Sequence, residues 1–376
     1  MRGHNESSGP VLHVRSSAGF YGAESVLTTL LKRLPAHGID AQLAVIRNYI
    51  NQDRSLYDRA SSMGIPVHEL PCGSRLDIST ARALLEHARQ TRARCIHTHD
   101  YKSHLYGLVA AKRLGLPLVA TLHGWISNTG ALKTYQKIER VMLWLFDAVV
   151  TVSPVMEKRL GSGIPALYSV RTILNGVDTR QFHPPQEAID RRHTAWPEDA
   201  CIFTSIGRLS KEKGHTVLLQ AFSKVRSSQP RSRLLIVGEG PERGNLQQQI
   251  QTLGLSASVT LAGTRTDINT VLQSTDCYVS SSYTEGMPMV VLEAMACARP
   301  VVATDVGAVA TMLGDGAGIL VPAADPEALA LAMLDVCNDE ASREKMGDKA
   351  RQRCVASYSA DAQAQAYRAL YRELGL

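Results

Sequence analysis

The chain has 376 residues, 44% of them hydrophobic and 20% charged, and a formal net charge of +6; at roughly 150 residues per domain that is room for two well-packed domains. Its Lys and Arg are interspersed with Asp and Glu, without a long basic run or aromatic interleaving, which argues against nucleic-acid binding and is compatible with an anionic substrate or an acidic membrane surface. The longest apolar run, Val141 to Val152, is broken by Asp147 and falls short of the roughly 18 residues of a spanning helix, so the protein is expected to be soluble or, at most, to sit on a membrane.

The first ten residues lack the apolar core of a signal peptide and read as a loose tail. The seven cysteines form no Cys-x-x-Cys pair, the pattern of reduced thiols in a cytosolic protein. Val11 to Val14 reads as a buried first strand, followed by a loop with Gly19 and Gly22 and a helix carrying Val26, Leu27, Leu30, Leu31 and Leu34 on one face. Strand, glycine loop and helix open a doubly wound domain, and glycine lets such a loop approach a phosphate; a simple packing turn is the alternative.

Further strands are expected at 42–46, 67–70, 95–98, 118–122, 148–152 and 171–174, with helical patterns such as Ile78, Ala81, Leu84, Leu85 and Ala88 between them. Strands alternating with helices predict a parallel sheet covered on both faces. His97, His99 and His123 fall at strand ends. Residues two apart on a strand share a face, so His97 and His99 permit a metal site without requiring one. The carboxyl ends of strands in an open parallel sheet are where ligands bind, which favours His99 and His123 as cleft residues over core histidines. Lys133, Lys137 and Arg140 precede the apolar Val141–Phe146; a helix packed on the sheet is the leading expectation and a helix lying on an anionic membrane the alternative. Ser153-Pro154 supplies an N-cap and a first-turn proline for the next helix.

Asn175-Gly-Val-Asp178 is a turn signal after a strand, and the domain boundary is placed there: 1–178, then 179–356, then a final helix over 357–376. The second domain opens with a strand at 201–206 and the loop Gly207-Arg208-Leu-Ser-Lys-Glu-Lys213-Gly214 before a helix. Two cations flanking a loop that enters a helix suit phosphate oxygens, or are a solvated surface pair. The glycines of 238–244 resemble a dinucleotide fingerprint, but the third comes one residue late and no acidic residue follows at the ribose spacing, so they are read as close-packing glycines of a second strand and helix.

Cys277 to Ala296 reads as a strand, a turn on Glu285-Gly286 and a helix entered at Pro288. Proline suits the first helical position, and the free N–H groups of that turn with the helix dipole suit an anion. Glu293, the sole charge between Pro288 and Ala298, is expected to be at least half buried and to need hydrogen-bond donors. Two carboxylates beside a phosphate site cannot hold the phosphate; they suit hydroxyls on the same ligand, as in a sugar nucleotide. Alternatively Glu285 only complements the dipole and Glu293 only caps a buried network.

Glu285-Gly286-Met287-Pro288-Met-Val-Val-Leu-Glu293-Ala-Met-Ala resembles the signature of retaining glycosyltransferases of family 4, a Glu followed after seven residues by a second Glu on a helix. Gly207-Arg208 with Lys213-Gly214, Asn175-Gly-Val-Asp178 and Tyr21-Gly22-Ala23-Glu24, where that family has Gly-Gly-Ala-Glu, extend the likeness over nearly the whole chain. At 305–311 the family's Gly-x-Pro-Glu is replaced, with Ala310 and Thr311 for Pro-Glu. The resemblance implies an α/β protein with two Rossmann-like domains facing across a cleft, the GT-B architecture, and a last helix crossing back to the first domain.

It further implies transfer from a nucleotide-diphosphate sugar, such as a UDP- or GDP-sugar, to a sugar or lipid-linked acceptor hydroxyl, without a cofactor or required metal. Donor contacts would then come from Gly19, Gly22, Arg208, Lys213, Arg265, Glu285, Gly286, Met287, Pro288 and Glu293, with Arg265 near the base, Glu285 on the sugar and Glu293 on the ribose. His123 would position the sugar, with Arg208, Lys213 and Glu285 as its catalytic partners, and Tyr21 and His99 fall on the acceptor side. Polysaccharide or lipid-linked glycan assembly at the inner membrane face would be the setting. A nucleotide-sugar epimerase or a non-enzymatic binding module would use a similar pair of domains.

Overall fold

The computed structural model describes residues 9–16, 19–48, 53–74, 77–123, 138–161, 169–186, 196–197 and 199–376. Gly124, Lys133, Lys137 and the first eight residues of the expected tail lie outside them. The chain divides into two compact units, 1–176 together with 360–376, and 177–359. The first boundary thus falls two residues before the one placed at Asp178, and the second three residues beyond 356, because Val177 and Ser359 pair as an isolated bridge within the second unit.

In the first domain, among the described residues, seven strands form one sheet: β1 (Val11–Ser16), β2 (Ala41–Asn48), β3 (Val67–Cys72), β4 (Cys95–Thr98), β5 (Leu118–Leu122), β6 (Ala148–Thr151) and β7 (Ser169–Thr172), in the order β3-β2-β1-β4-β5-β6-β7. Every pairing is parallel. Parallel neighbours need crossover connections, and the helices Gly22–Arg33, Ser55–Ser62, Ile78–Gln90 and Tyr101–Leu114 supply them. The strands β4, β5 and β6 are buried throughout, as expected for a sheet covered on both faces. Residues 138–143 are helical and send Met142 and Leu143 into the core while Ile138 and Val141 stay exposed.

The last helix, Ala360–Glu373, completes this first domain. Ala364, Tyr367, Leu370 and Tyr371 recur at the helical period and join Leu27, Leu30, Leu31, Leu43 and Val119 in one buried cluster. The two tyrosine rings are 1% and 0% exposed. An aromatic side chain buries about 150–250 Å², so this helix is held chiefly by its apolar face.

The second domain repeats the plan with β8 (Ile202–Ile206), β9 (Arg233–Val237), β10 (Val259–Leu261), β11 (Cys277–Ser280), β12 (Val301–Thr304) and β13 (Gly318–Val321), ordered β10-β9-β8-β11-β12-β13 and parallel throughout. Phe203, Leu218, Phe222, Leu234, Val279 and Met333 lie in its core. In each sheet the winding reverses direction once, between β1 and β4 and between β8 and β11. Ligands of open α/β sheets bind beyond the carboxyl ends of the strands at such a reversal, which directs attention to the loops after these four strands.

Candidate functional site

Beyond β8 the chain runs through Gly207 and Arg208 into a short turn, Lys211–Lys213, and then the helix His215–Ser228. Gly214 joins turn to helix at φ +64°, and a Cβ there would stand 2.1 Å from the carbonyl oxygen of Ser281. Glycine is therefore what lets this loop touch the one after β11. The seam is closed by Ser281 Oγ donating to the Lys213 carbonyl at 3.0 Å and by Tyr283 N donating to the Glu212 carbonyl at 2.8 Å.

That contact brings together side chains 72 residues apart: Lys213 Nζ donates to Glu285 Oε1 at 2.6 Å. Ser282 Oγ donates to the same oxygen at 2.7 Å. Both charges are largely covered, with side chains 28% and 11% exposed, so the pair is screened less than a surface ion pair. Lys213, read in the sequence beside Arg208 as a cation suited to phosphate oxygens, is here paired with Glu285. Arg208 is exposed and has no ion pair among the described residues.

The helix of the central motif spans Met289–Ala296, and Pro288 is its cap at φ −70°, ψ 119°. Helix entry therefore comes one residue later than the sequence suggests, because the extended ψ of Pro288 keeps it outside. The loop after β12 buttresses the Glu285-Gly286 turn: Ala308 N donates to the Gly286 carbonyl at 2.9 Å, and Thr304 Oγ1 to that of Ser282 at 2.6 Å. The stretch with Ala310 and Thr311 in place of Pro-Glu thus supports the motif through its backbone. Met287 is buried.

Glu293 sits on a helix whose Met289, Val291, Leu292, Ala294 and Met295 are all buried. It is half-buried and has no hydrogen-bond partner among the described residues. Burial accordingly raises its carboxyl to about 7. The neighbouring Tyr278 hydroxyl, which donates to the Ile206 carbonyl at 3.4 Å, is pushed up by burial and by the charges of Glu285 and Glu293. Arg265 is exposed and clasped by Asp267, Nε to Oδ1 at 2.7 Å and Nη2 to Oδ2, so stacking on a base would use a guanidinium already held in its plane.

In the first domain the loops after β1 and β4 meet in the same way. Ser16 N donates to Asp100 Oδ2 at 2.7 Å; Arg15 Nε donates to Glu24 Oε1 at 2.8 Å and Nη1 to the His99 carbonyl at 3.1 Å. Glu24 also accepts from Tyr21 N at 3.0 Å, which caps the helix that Gly22 begins. A Cβ on Gly19 would stand 2.4 Å from the Tyr21 ring, so this glycine makes room for a side chain of its own loop. The Tyr21 side chain itself is 68% exposed.

His97 and His99 are core residues, 0% and 3% exposed, which corrects the placing of His99 in an open acceptor position. The last helix and β1 cover them. His123 is half-buried at the end of β5. The imidazoles belong to a continuous string of hydrogen bonds. Tyr367 OH meets Thr121 Oγ1 at 2.9 Å, which meets His97 Nε2 at 2.8 Å. His97 Nδ1 meets Tyr371 OH at 2.7 Å, and that hydroxyl meets His13 Nε2 at 3.3 Å. His13 Nδ1 meets His99 Nε2 at 2.9 Å, and His99 Nδ1 meets His123 Nε2 at 3.1 Å. Nδ1 of His123 is buried and has no partner among the described residues.

The ligand nitrogens of His13, His97 and His99 lie within 4.8 Å of one another, a spacing that invites a metal. All six of their ring nitrogens are engaged in the hydrogen bonds just given. Burial holds the rings neutral, His13 at about 3 and His97, His99 and His123 well below the usual histidine range, with repulsion from neighbouring histidines adding at His97 and His99 and from Arg15 and His104 at His123. His13, Thr121, Tyr367, Tyr371 and Ser282 were not singled out in the sequence. Only the four-residue spacing of the two tyrosines hinted at a shared face.

Comparison with known proteins places these loops in context. The family described as Glycosyltransferase Family 4 matches residues 20–181, and that described as Glycosyl transferases group 1 matches residues 186–353. The chain is 24% identical over 303 residues to N-acetyl-alpha-D-glucosaminyl L-malate synthase of Bacillus anthracis, covering 79% of each chain. It is 27% identical over 281 residues to UDP-Gal:alpha-D-GlcNAc-diphosphoundecaprenol alpha-1,3-galactosyltransferase of Escherichia coli, covering 70% of this chain and 71% of that one. Among solved structures, Anabaena HepE in complex with UDP-glucose superposes with a TM-score of 0.83 at 20% identity, over 97% of this chain and 100% of the other.

Proposed function

The chain belongs to the family-4-like glycosyltransferases of GT-B architecture, and from that premise we propose that it transfers a sugar from a nucleotide-diphosphate sugar to an acceptor hydroxyl with retention at the anomeric carbon and without a required metal. The observation that carries this is Glu293: a half-buried carboxylate with no partner among the described residues, beside a second carboxylate that Lys213 and Ser282 hold in place. An unmet acceptor in an apolar setting is costly until donors reach it, and the hydroxyls of a ribose are such donors.

In this reading Glu293 takes the ribose, Glu285 the hydroxyls of the donor sugar, and Arg208 with the helix entered at Met289 the diphosphate. Lys213 exchanges part of its bond to Glu285 for a phosphate oxygen, and His123 contacts the sugar. The bond between the anomeric carbon and the phosphate oxygen breaks while the acceptor oxygen attacks from the same face. The acceptor's proton passes to the departing diphosphate, whose growing charge the cations stabilise. The UDP-glucose bound to HepE makes UDP-sugars the first donors to test, with GDP-sugars next. The name of the Escherichia coli relative supports a lipid-linked acceptor. Among the described residues no helix is long and apolar enough to cross a membrane; association with the inner face would use the exposed Ile138, Val141 and Leu145.

The test is turnover of a panel of UDP- and GDP-sugars with sugar and lipid-linked acceptors, in EDTA, with the product anomer read by NMR. Transfer with the donor's anomeric configuration is expected to persist in the chelator. Loss of activity restored by Mg²⁺ would overturn metal independence, and an inverted product would overturn retention. Free epimerised nucleotide sugar formed without acceptor would point to an epimerase, and binding without turnover to a module that only holds the ligand.

A further inference from the structure

The cysteines divide by exposure: Cys72, Cys95, Cys277, Cys297 and Cys354 are buried, while Cys201 and Cys337 are part-exposed. These last two also meet. Cys201 immediately precedes β8, and its carbonyl accepts from Arg233 N at 2.9 Å, which sets Ser232 beside it at the start of β9. Cys337 belongs to the last turn of the helix Pro326–Asn338. That turn is anchored over the same spot: Gln229 Nε2 donates to Asn338 Oδ1 at 2.6 Å, and Ser232 Oγ lies 3.9 Å from Cys337 Sγ. The Cys201 thiol completes the contact by donating to Cys337 Sγ. Both cysteines pack against the rim of the apolar core, at the amino ends of the strands and so away from the loops of the candidate site.

Two neighbouring sulfurs with access to solvent have a chemistry that a buried structural cysteine lacks. The thiolate is the nucleophile, and it forms where donors and positive charge offset its burial. At Cys337 the hydrogen bonds from Cys201 and Ser232 and the nearby Arg343 guanidinium bring the thiol down to about 7, against burial and the charge of Asp276. The Cys201 thiol is pushed up by the bond it donates and by burial. The carbonyl end of the helix also disfavours a negative charge, so the two donors carry the stabilisation of the thiolate.

We propose that Cys337 and Cys201 form a redox-active dithiol, with Cys337 the attacking and Cys201 the resolving sulfur, whose oxidant is a small-molecule disulfide of the glutathione type. The Cys337 thiolate attacks one sulfur of the oxidant, which forms a mixed disulfide and releases one small thiolate. Cys201 Sγ then attacks Cys337 Sγ; the bond to the small molecule breaks, and the second thiolate leaves with the Cys201 proton. The dithiol loses two electrons and two protons, and the oxidant departs as two thiols. The new bond closes a loop containing all six strands of the second domain, which lowers the entropy of the unfolded chain. Oxidation thus fastens the helix Pro326–Asn338 to the sheet and hardens this domain against unfolding. The dithiol does not depend on the function proposed above.

The experiment places the reduced full chain in glutathione buffers of rising disulfide content at pH 7, counts free thiols after an acid quench and denaturation, and maps the linkage by mass spectrometry. The count is expected to fall from seven to five, with Cys201 joined to Cys337, and the melting temperature to rise by about 4–16 °C. Cys201→Ser is expected to stop at the mixed disulfide, with one glutathione held on Cys337, and Cys337→Ser to keep all its remaining thiols. A folded wild type that retains seven thiols in glutathione disulfide, a link between any other pair, or glutathione that stays on Cys337 while Cys201 is present would overturn the proposal. If either Ser variant fails to fold, the order of alkylation in the wild type assigns the roles. Iodoacetamide at pH 7 is expected to label Cys337 before the other cysteines, and labelling of Cys201 ahead of it would overturn the assignment. An oxidised protein that melts no higher than the reduced one would overturn the fastening of the helix.

Discussion

Replacing Glu293 by Gln should act in opposite directions on stability and on binding. Burial raises the Glu293 carboxyl from 4.5 to about 7, and at about 1.4 kcal/mol per unit that is about 3 kcal/mol. The folded state thus holds this proton more tightly than the unfolded state does. Stability contributed by the protonated form is present in full below 4.5 and is lost as pH rises through about 7. Gln cannot ionise. The variant should gain less than about 1 kcal/mol over wild type at pH 5 and approach about 3 kcal/mol above pH 7, roughly 6–12 °C in the melting temperature of a domain of this size. Binding should move the other way. Ligand hydroxyls donate to the ionised carboxylate, and hydrogen bonds to charged groups are worth about 1.5–3 kcal/mol, so UDP affinity should fall about ten- to a hundredfold. Wild type should also release a proton on binding UDP just below pH 7, as two buffers of different ionisation heat would reveal by calorimetry. A Glu293→Gln protein that is less stable at pH 8, or that binds UDP as tightly as wild type, would refute the assignment and make Glu293 a structural group.

Arg208→Ala should lower single-turnover transfer at saturating donor by about 10²–10³ while weakening donor binding much less, because charge on the leaving diphosphate grows as the bond breaks; equal losses would mean that Arg208 only holds the ground state. Gly214→Ala places a methyl against the Ser281 carbonyl, at 2.1 Å and a positive φ. It should cost at least about 1–2 kcal/mol in denaturant unfolding, and donor binding should suffer further as the Lys213–Glu285 pair is pulled apart. Wild-type stability in the variant would show that the seam between the two loops yields without cost.

The alternation of strands and helices was legible because burial on both faces of a parallel sheet leaves continuous apolar runs such as Leu118–Leu122, and crossover helices leave a 3.6-residue period. The Glu285 to Glu293 motif was legible for a related reason: a lone charge in the run Met289–Ala296 advertises itself. What escaped was set by pairs far apart in sequence. The Lys213–Glu285 pair was not foreseen because nothing near Lys213 in the chain announces that Gly214 will let Ser281 approach. His99 looked open because strand ends usually are. Its covering comes from a helix that starts at Ala360, more than 250 residues on, whose tyrosines carry the signal of an ordinary apolar face. The two omissions share a cause. Periodicity reports which side of an element is buried, but not what lies against it, and a polar group's role depends on that neighbour. Glu293 and His123 Nδ1 stand out in the structure for the converse reason: each is a polar group that the fold covers and leaves without a partner among the described residues. A covered polar group without a partner is costly until something meets it, and for Glu293 the hydroxyl donors of a ribose are the partners that the proposed function supplies.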